Sequence, residues 1–255
     1  STLTHHTGAL NFRRLEELAR TLSDIKNTGC EVILVSSGAI GVGVSKLKLP
    51  ARPRVLSMKQ ATAAVGQCEL MHIYDKLFGE YGQVVAQILL TRDDVEHPHR
   101  RENLYNTFLS LLDLGAVPVV NENDSVSFDE IEAGHNKVFG DNDTLAALVA
   151  ALVGADLLVL LTDIDGLYDA DPRKNPEARR IPVVHQVDEK LLRGASGAGS
   201  SRGTGGMVTK LQAAKLCLEQ GIDMVGASGE RPALLYDIVE GKPAGTLFTR
   251  EGGTL

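Results

Sequence analysis

Tryptophan is absent from this chain, and aromatic residues of all kinds make up only 4% of it. A stacking platform for bases or a Trp-lined sugar cleft is therefore not expected. Basic residues are in deficit: 26 Lys and Arg against 33 Asp and Glu give a formal charge of −7, and the isoelectric point is about 5.5. Proteins that grip nucleic acid through its phosphates carry a basic surplus, so no nucleic-acid partner is expected. No run approaches the ~18 uncharged apolar residues of a membrane span. The opening also lacks the basic segment and apolar run of a secretory leader, and a cytoplasmic protein with no membrane partner is the expectation. Cysteine is scarce. Cys30, Cys68 and Cys217 are odd in number, far apart and without Cys-x-x-Cys spacing, which speaks against a disulfide framework or a zinc site. Each reads as a small buried filler, and His5 and His6 read as solvated turn residues.

Glycine is plentiful, at 26 of 255 residues where about 7% is usual, and it is clustered. With 43% apolar and 23% charged residues the chain is an ordinary globular one. Its length allows one large domain or two small ones, and the lack of repeats or a linker favours one α/β domain over residues 1–255. Leu15, Leu18, Ala19, Leu22 and Ile25 mark one face of a helix. Short apolar runs at 32–35, 84–90, 117–120 and 157–161 read as buried strands. Helices are expected at 60–81, 104–114, 144–152 and 209–220, the last three closed by Gly115, Gly154 and Gly221. Such alternation specifies a mainly parallel sheet with helices on both faces.

Ligands of such sheets bind beyond the carboxyl ends of the strands, and small, polar or acidic residues follow three of the four runs. After residue 35 comes Ser36-Ser37-Gly38-Ala39-Ile40-Gly41-Val42-Gly43; after 120, Asn121-Glu122-Asn123-Asp124; after 161, Thr162-Asp163-Ile164-Asp165-Gly166-Leu167-Tyr168. The first of these follows neither the dinucleotide fingerprint nor the Walker phosphate loop. It reads either as a plain strand-to-helix turn or as a set of backbone amides aimed at an anion. A second glycine cluster, Gly203-Thr204-Gly205-Gly206-Met207-Val208-Thr209-Lys210, runs into a helix. A cation at a helix start opposes the helix dipole, so Lys210 makes sense there if a polyanion occupies the spot. Gly140-Asp141-Asn142-Asp143 opens another helix, where one capping residue would suffice; the extra acid suits positioning of a lysine, a metal or a substrate amine. Asp124 at its strand end reads as idle or as a partner for an ammonium group. Amide nests, a helix-start lysine and several carboxylates, without a nucleophile–His pair, suggest phosphoryl transfer, which needs positioning and charge neutralisation above all.

Taken together, these five motifs and the Ala170-Asp171-Pro172-Arg173 segment resemble the amino acid kinase family over essentially the whole chain. Within it they are similar to the members that phosphorylate the γ-carboxylate of L-glutamate with ATP at the head of proline biosynthesis. The resemblance implies a three-layer αβα sandwich of the carbamate kinase type with a mainly parallel central sheet. It implies that Ser37, Asp124 and Asn142 bind glutamate, with Asn121 and Asp141 nearby. Thr162, Asp163, Thr204, Gly205, Gly206, Met207, Val208, Thr209 and Lys210 would hold ATP. The amides of Gly38 and Ala39 would meet the moving phosphoryl group, Lys210 would neutralise its charge, and Asp143 would orient lysines. Mg2+ would bridge the ATP phosphates with few direct protein ligands. Proline as a feedback inhibitor acting at a lid over 125–139 and a homodimer or homotetramer are implied as well, while the Gly- and Ser-rich composition of 193–201 predicts a segment that is mobile without nucleotide. A sibling kinase for aspartate, N-acetylglutamate or a nucleoside monophosphate, and a non-catalytic amino-acid sensor, are the rival readings. Two departures stand out: the family's first-strand lysine is expected just before Ser1, and the RNA-modification-type C-terminal domain of many relatives is not expected here.

Overall fold

Asn11 opens the first helix, α1 (Phe12–Asn27), its side-chain oxygen accepting the Arg14 backbone N–H at 3.2 Å. That bond satisfies one of the amides that a helix start leaves free. The apolar stripe read from the sequence is the face that is buried, through Leu15, Leu18, Ala19 and Ile25. The computed structural model of the chain describes residues 4–5, 10–126, 142–195 and 206–250. It divides into two compact units, Ser1–Glu132 and Ala133–Leu255.

The first unit continues through β1 (Leu34–Val35), α2 (Ala39–Lys46), α3 (Leu56–Gly79), β2 (Val85–Leu90), α4 (Arg92–Glu96), α5 (Pro98–Asp113) and β3 (Val117–Glu122). Its sheet has the order β1-β3-β2 with both pairings parallel, as connections through helices require. β3 is central, and Val117, Val119 and Val120 are wholly buried. Pro118 interrupts that run, but β1 pairs only from Leu34↔Val119 onward. The residue without an N–H therefore precedes the stretch where β3 has a partner on both edges.

Two glycines bring α2 and α3 together. A Cβ on Gly43 would lie 1.9 Å from the Thr62 carbonyl oxygen, and one on Gly66 would lie 1.8 Å from that of Ala39. No side chain fits at either place, so the helices meet backbone to backbone. α3 also turns polar groups inward. The hydroxyls of Tyr74 and Ser36 are 2.8 Å apart and both residues are buried. Burial pushes the Tyr74 phenol up to about 12, against the opposite pull of the Ser36 hydrogen bond, so it stays protonated at neutral pH.

The second unit runs through α6 (Asn142–Val153), β4 (Leu157–Thr162), β5 (Leu167–Tyr168), β6 (Arg180–Ile181), β7 (Val183–Val184), α7 (Glu189–Ala195), α8 (Met207–Gln220), β8 (Asp223–Ser228), α9 (Leu234–Val239) and β9 (Thr246–Phe248). Its sheet has the order β4-β8-β9-β7. β4 pairs parallel to β8 and β7 parallel to β9, while β8 and β9 run antiparallel. β5 and β6 form a separate antiparallel pair.

The α/β pattern with parallel strands agrees with the sequence reading, and Gly115, Gly154 and Gly221 follow α5, α6 and α8 with φ of 72°, 67° and 77°. Three features differ. β8 went unread because Gly226 and Ala227 leave it only a short apolar run, yet it lies between β4 and β9. α3 starts at Leu56 and α5 at Pro98, earlier than apolar spacing suggests; Pro98 in the first helical turn has its φ preset. The cysteines are not all fillers. Cys217 is buried, and desolvation raises its thiol to about 12. Cys30 is half-buried and Cys68 is exposed, one position past inward-facing Gln67 on α3.

Gly66→Ala is expected to destabilise the fold by about 3 kcal/mol, the upper end of overpacking costs. Gly41→Ala in α2, where a Cβ meets nothing within 4 Å, should be neutral or slightly stabilising through helix propensity. Thermal unfolding followed by circular dichroism compares the two. Equal melting temperatures would sink the close-packing account.

Candidate functional site

In the first unit, two strand exits lie side by side. β1 and β3 are parallel neighbours, and the Ser36 amide donates to the Val120 carbonyl at 2.8 Å, extending the pairing past β1. Ser37, Gly38 and Ala39 thus leave the sheet at the same end as Asn121 and Asp124. Gly38 is the N-cap of α2, with a left-handed φ of 94° that suits glycine. Its carbonyl accepts the first helical bond, from Val42 at 2.9 Å. No side chain caps α2, so amides of its first turn lack a side-chain acceptor and suit an anion. Ala39 is buried and Ser37 half-buried. Asn121 is only 2% exposed: its Oδ1 accepts the Glu122 amide at 2.9 Å, and its Nδ2 donates to Gln67 Oε1 at 2.7 Å. Asp124 is half-buried in the turn that follows β3.

In the second unit, the starts of α6 and α8 are joined by an ion pair. Lys210 Nζ and Asp143 Oδ2 are 2.8 Å apart, with side chains 18% and 16% exposed. Asp143 lies in the first turn of α6, where the helix dipole favours an anion. Lys210 is the fourth residue of α8, where the same dipole opposes a cation, and the carboxylate offsets that cost. Thr209 Oγ1 donates to the Gly206 carbonyl at 2.8 Å and lies 3.4 Å from Asp143 Oδ2. Asn142, Met207 and Val208 are half-buried beside them. At the exit of β4, buried Thr162 ties its own turn: Oγ1 donates to the Ile164 carbonyl at 2.6 Å and accepts the Ile164 amide at 3.1 Å. Asp163 points outward, 69% exposed, and pairs with Arg173 at 2.9 Å.

The sequence-predicted residues thus assemble in two groups: Ser37, Gly38, Ala39, Asn121 and Asp124 at one end of the first unit's sheet, and Asn142, Asp143, Thr209 and Lys210 at paired helix starts in the second. Thr162 and Asp163 sit at a strand end of the second unit. Asp141, Thr204 and Gly205 lie outside the described residues, as do most of the 125–139 and 193–201 segments. Sequence reading missed Gln67 and Tyr74, whose signal was a polar pair inside the inward stripe of α3 at Ala63, Gly66, Leu70 and Ile73. It also missed a pocket of about 240 Å3 in the second unit, lined by Asp165, Arg180, Ser228 and Arg231 among others. Arg180 and Arg231 carry no motif, and only the fold brings them together. Among the described residues no group of three or more His, Cys, Asp or Glu side chains is placed to hold a metal ion, and no helix is long and apolar enough to cross a membrane.

A sequence model of the amino acid kinase family matches residues 1–225. The chain is 54% identical over 253 residues to a glutamate 5-kinase of Clostridium perfringens, covering 99% of this chain and 93% of the relative. It is 52% identical over 248 residues to a glutamate 5-kinase of Listeria innocua, covering 97% and 89%. Among solved structures it is similar to a carbamate kinase of Giardia lamblia bound to AMP-PNP, with a TM-score of 0.67 at 16% identity over 98% of this chain and 95% of that one. An isopentenyl phosphate kinase of T. acidophilum in its product complex gives 0.62 at 19% identity over 94% and 92%. At such identities the structures speak for the fold alone, and the sequence matches carry the assignment: the chain belongs to the amino acid kinase family.

Proposed function

We propose that this chain transfers the γ-phosphoryl group of ATP to the γ-carboxylate of L-glutamate, giving L-glutamyl 5-phosphate and ADP at the first step of proline biosynthesis. The observation that carries this reading is near-full-length identity of 52–54% to several relatives named glutamate 5-kinase. The Asp143–Lys210 pair supports it from the side of geometry. A carboxylate oxygen of glutamate attacks the γ-phosphorus in line, the bond to the β-phosphate oxygen breaks, and ADP leaves with that electron pair. The nucleophile is already ionised at neutral pH, so no general base is required.

In this reading Ser37, Asn121, Asp124, Asp141 and Asn142 bind glutamate. Thr162, Asp163 and residues 204–210 hold ATP. The Gly38 and Ala39 amides face the phosphoryl group in transit, where charge stabilisation contributes most. Lys210 neutralises the phosphates, and Asp143 fixes the direction of its ammonium group. Mg2+ would add charge neutralisation at the triphosphate, and a cation of this kind keeps few protein ligands. The two units act as halves of one kinase domain over residues 1–255, in the cytoplasm, where ATP is available and the three free thiols stay reduced. Proline would act as feedback inhibitor.

We also propose self-association into a homodimer or homotetramer. α5 has sixteen residues and Phe108 is the one buried among them, while Tyr105 and Leu109, four apart on one face, are 39% and 38% exposed.

Purified protein with Mg·ATP is expected to release ADP on addition of L-glutamate, and far more slowly with aspartate, N-acetylglutamate or a nucleoside monophosphate. Preference for another acceptor would overturn the substrate assignment. Lys210→Met should lower kcat on the order of 10²–10³-fold, as for other charge-stabilising groups, in a protein that still unfolds cooperatively. Near-normal turnover would remove Lys210 from the phosphate site. Leu109→Glu should reduce the mass found by sedimentation to that of a smaller assembly, and an unchanged mass would exclude this face of α5.

A further inference from the structure

We propose that Gln67 is a positioning residue for the acceptor substrate, holding the Asn121 side chain so that its amide nitrogen stays available to a carboxylate. This rests on the reading above that Asn121 lies against bound glutamate. Asn121 stands at the end of β3 with its amide engaged at both ends. One end is fixed by chemistry: the Glu122 backbone N–H can only donate, so the atom 2.9 Å from it must be the oxygen, Oδ1. Nδ2 therefore faces α3, and the atom that meets it at 2.7 Å must be an acceptor, Gln67 Oε1. The orientation of both amides follows from one backbone donor, with no freedom to flip either alone. One hydrogen of Nδ2 is left, and a carboxylate, which only accepts, is its natural ligand.

The placement of Gln67 is itself tightly held. It follows Gly66, whose missing side chain admits the Ala39 carbonyl against α3. It precedes Tyr74 by seven residues, two turns along the same face, and Tyr74 bonds Ser36 at the exit of β1. One face of α3 thus braces both strand exits of the first unit, and Gln67 is the contact that reaches the Asn121 side chain.

The test is steady-state kinetics of ADP release for wild type, Gln67→Met, Gln67→Glu and Asn121→Asp, with melting temperatures alongside. Gln67→Met keeps the shape and removes the acceptor; it should raise KM for glutamate about tenfold, the equivalent of one hydrogen bond, and leave KM for ATP within about twofold. Gln67→Glu keeps an oxygen at that position and should restore most of the affinity. A purely structural role would lower the melting temperature without separating the two KM values. Asn121→Asp puts an acceptor where the donor was and should raise KM for glutamate at least as much, which decides the matter even if Gln67→Met fails to fold. A folded Gln67→Met, or Asn121→Asp, with wild-type KM for glutamate overturns the positioning role alone. Wild type that releases no ADP in response to glutamate overturns the substrate reading, and this role with it.

Discussion

Contact between two helix backbones at Gly43 and Gly66 sets the geometry on which the first unit depends. A carbonyl that approaches within reach of an α-carbon has no tolerance for a side chain, and packing at interior density transmits any displacement to its neighbours. α2 begins directly after Gly38, so the spacing of α2 and α3 also governs how far α3 lies from the amides at the end of the sheet. Hydrogen bonds from α3 to Ser36 and Asn121 then add direction to what the glycines establish as spacing. Steric contact comes first here. The polar contacts work only because it brings them into range.

Charge plays the corresponding part in the second unit. A lysine near the start of a helix is an awkward residue on dipole grounds alone, and a cation partly withdrawn from water needs a partner. Asp143 meets both needs from the neighbouring helix start, which itself favours an anion. The pair leaves the ammonium group mostly shielded from water yet aimed by a fixed oxygen. Such a group suits recognition of charge that moves during a reaction, because little reorganisation is needed when that charge arrives. Thr162 shows the opposite strategy: its hydroxyl is consumed within its own turn.

Much of this was legible before any coordinates. Apolar runs located β2, β3 and β4, and the glycines after α5, α6 and α8 are where the helices end, since a left-handed residue after a helix is a local requirement. Polar strand exits pointed to Ser37, Asn121 and Asp124, and the clash between a cation and a helix start pointed to Lys210. What stayed hidden was non-local. Gln67 is an unremarked polar residue in a helix until β3 is laid beside it, and Arg180 and Arg231 share a pocket only because β6 and the turn after β8 come together. β8 escaped notice because a strand in the middle of a sheet needs a fitting surface more than a long apolar run. Cys68 was read by residue type and belongs by position to the outer face of its helix.

Because Gly66 and Gln67 are consecutive, the spacing and the polar brace of α3 share a single turn of helix. Each residue of an α-helix advances the face by about 100°, so deleting or inserting one residue between Thr62 and Tyr74 swings half of these contacts away from their partners. A substitution that keeps the helix preserves this register, whereas a change of length within the segment does not.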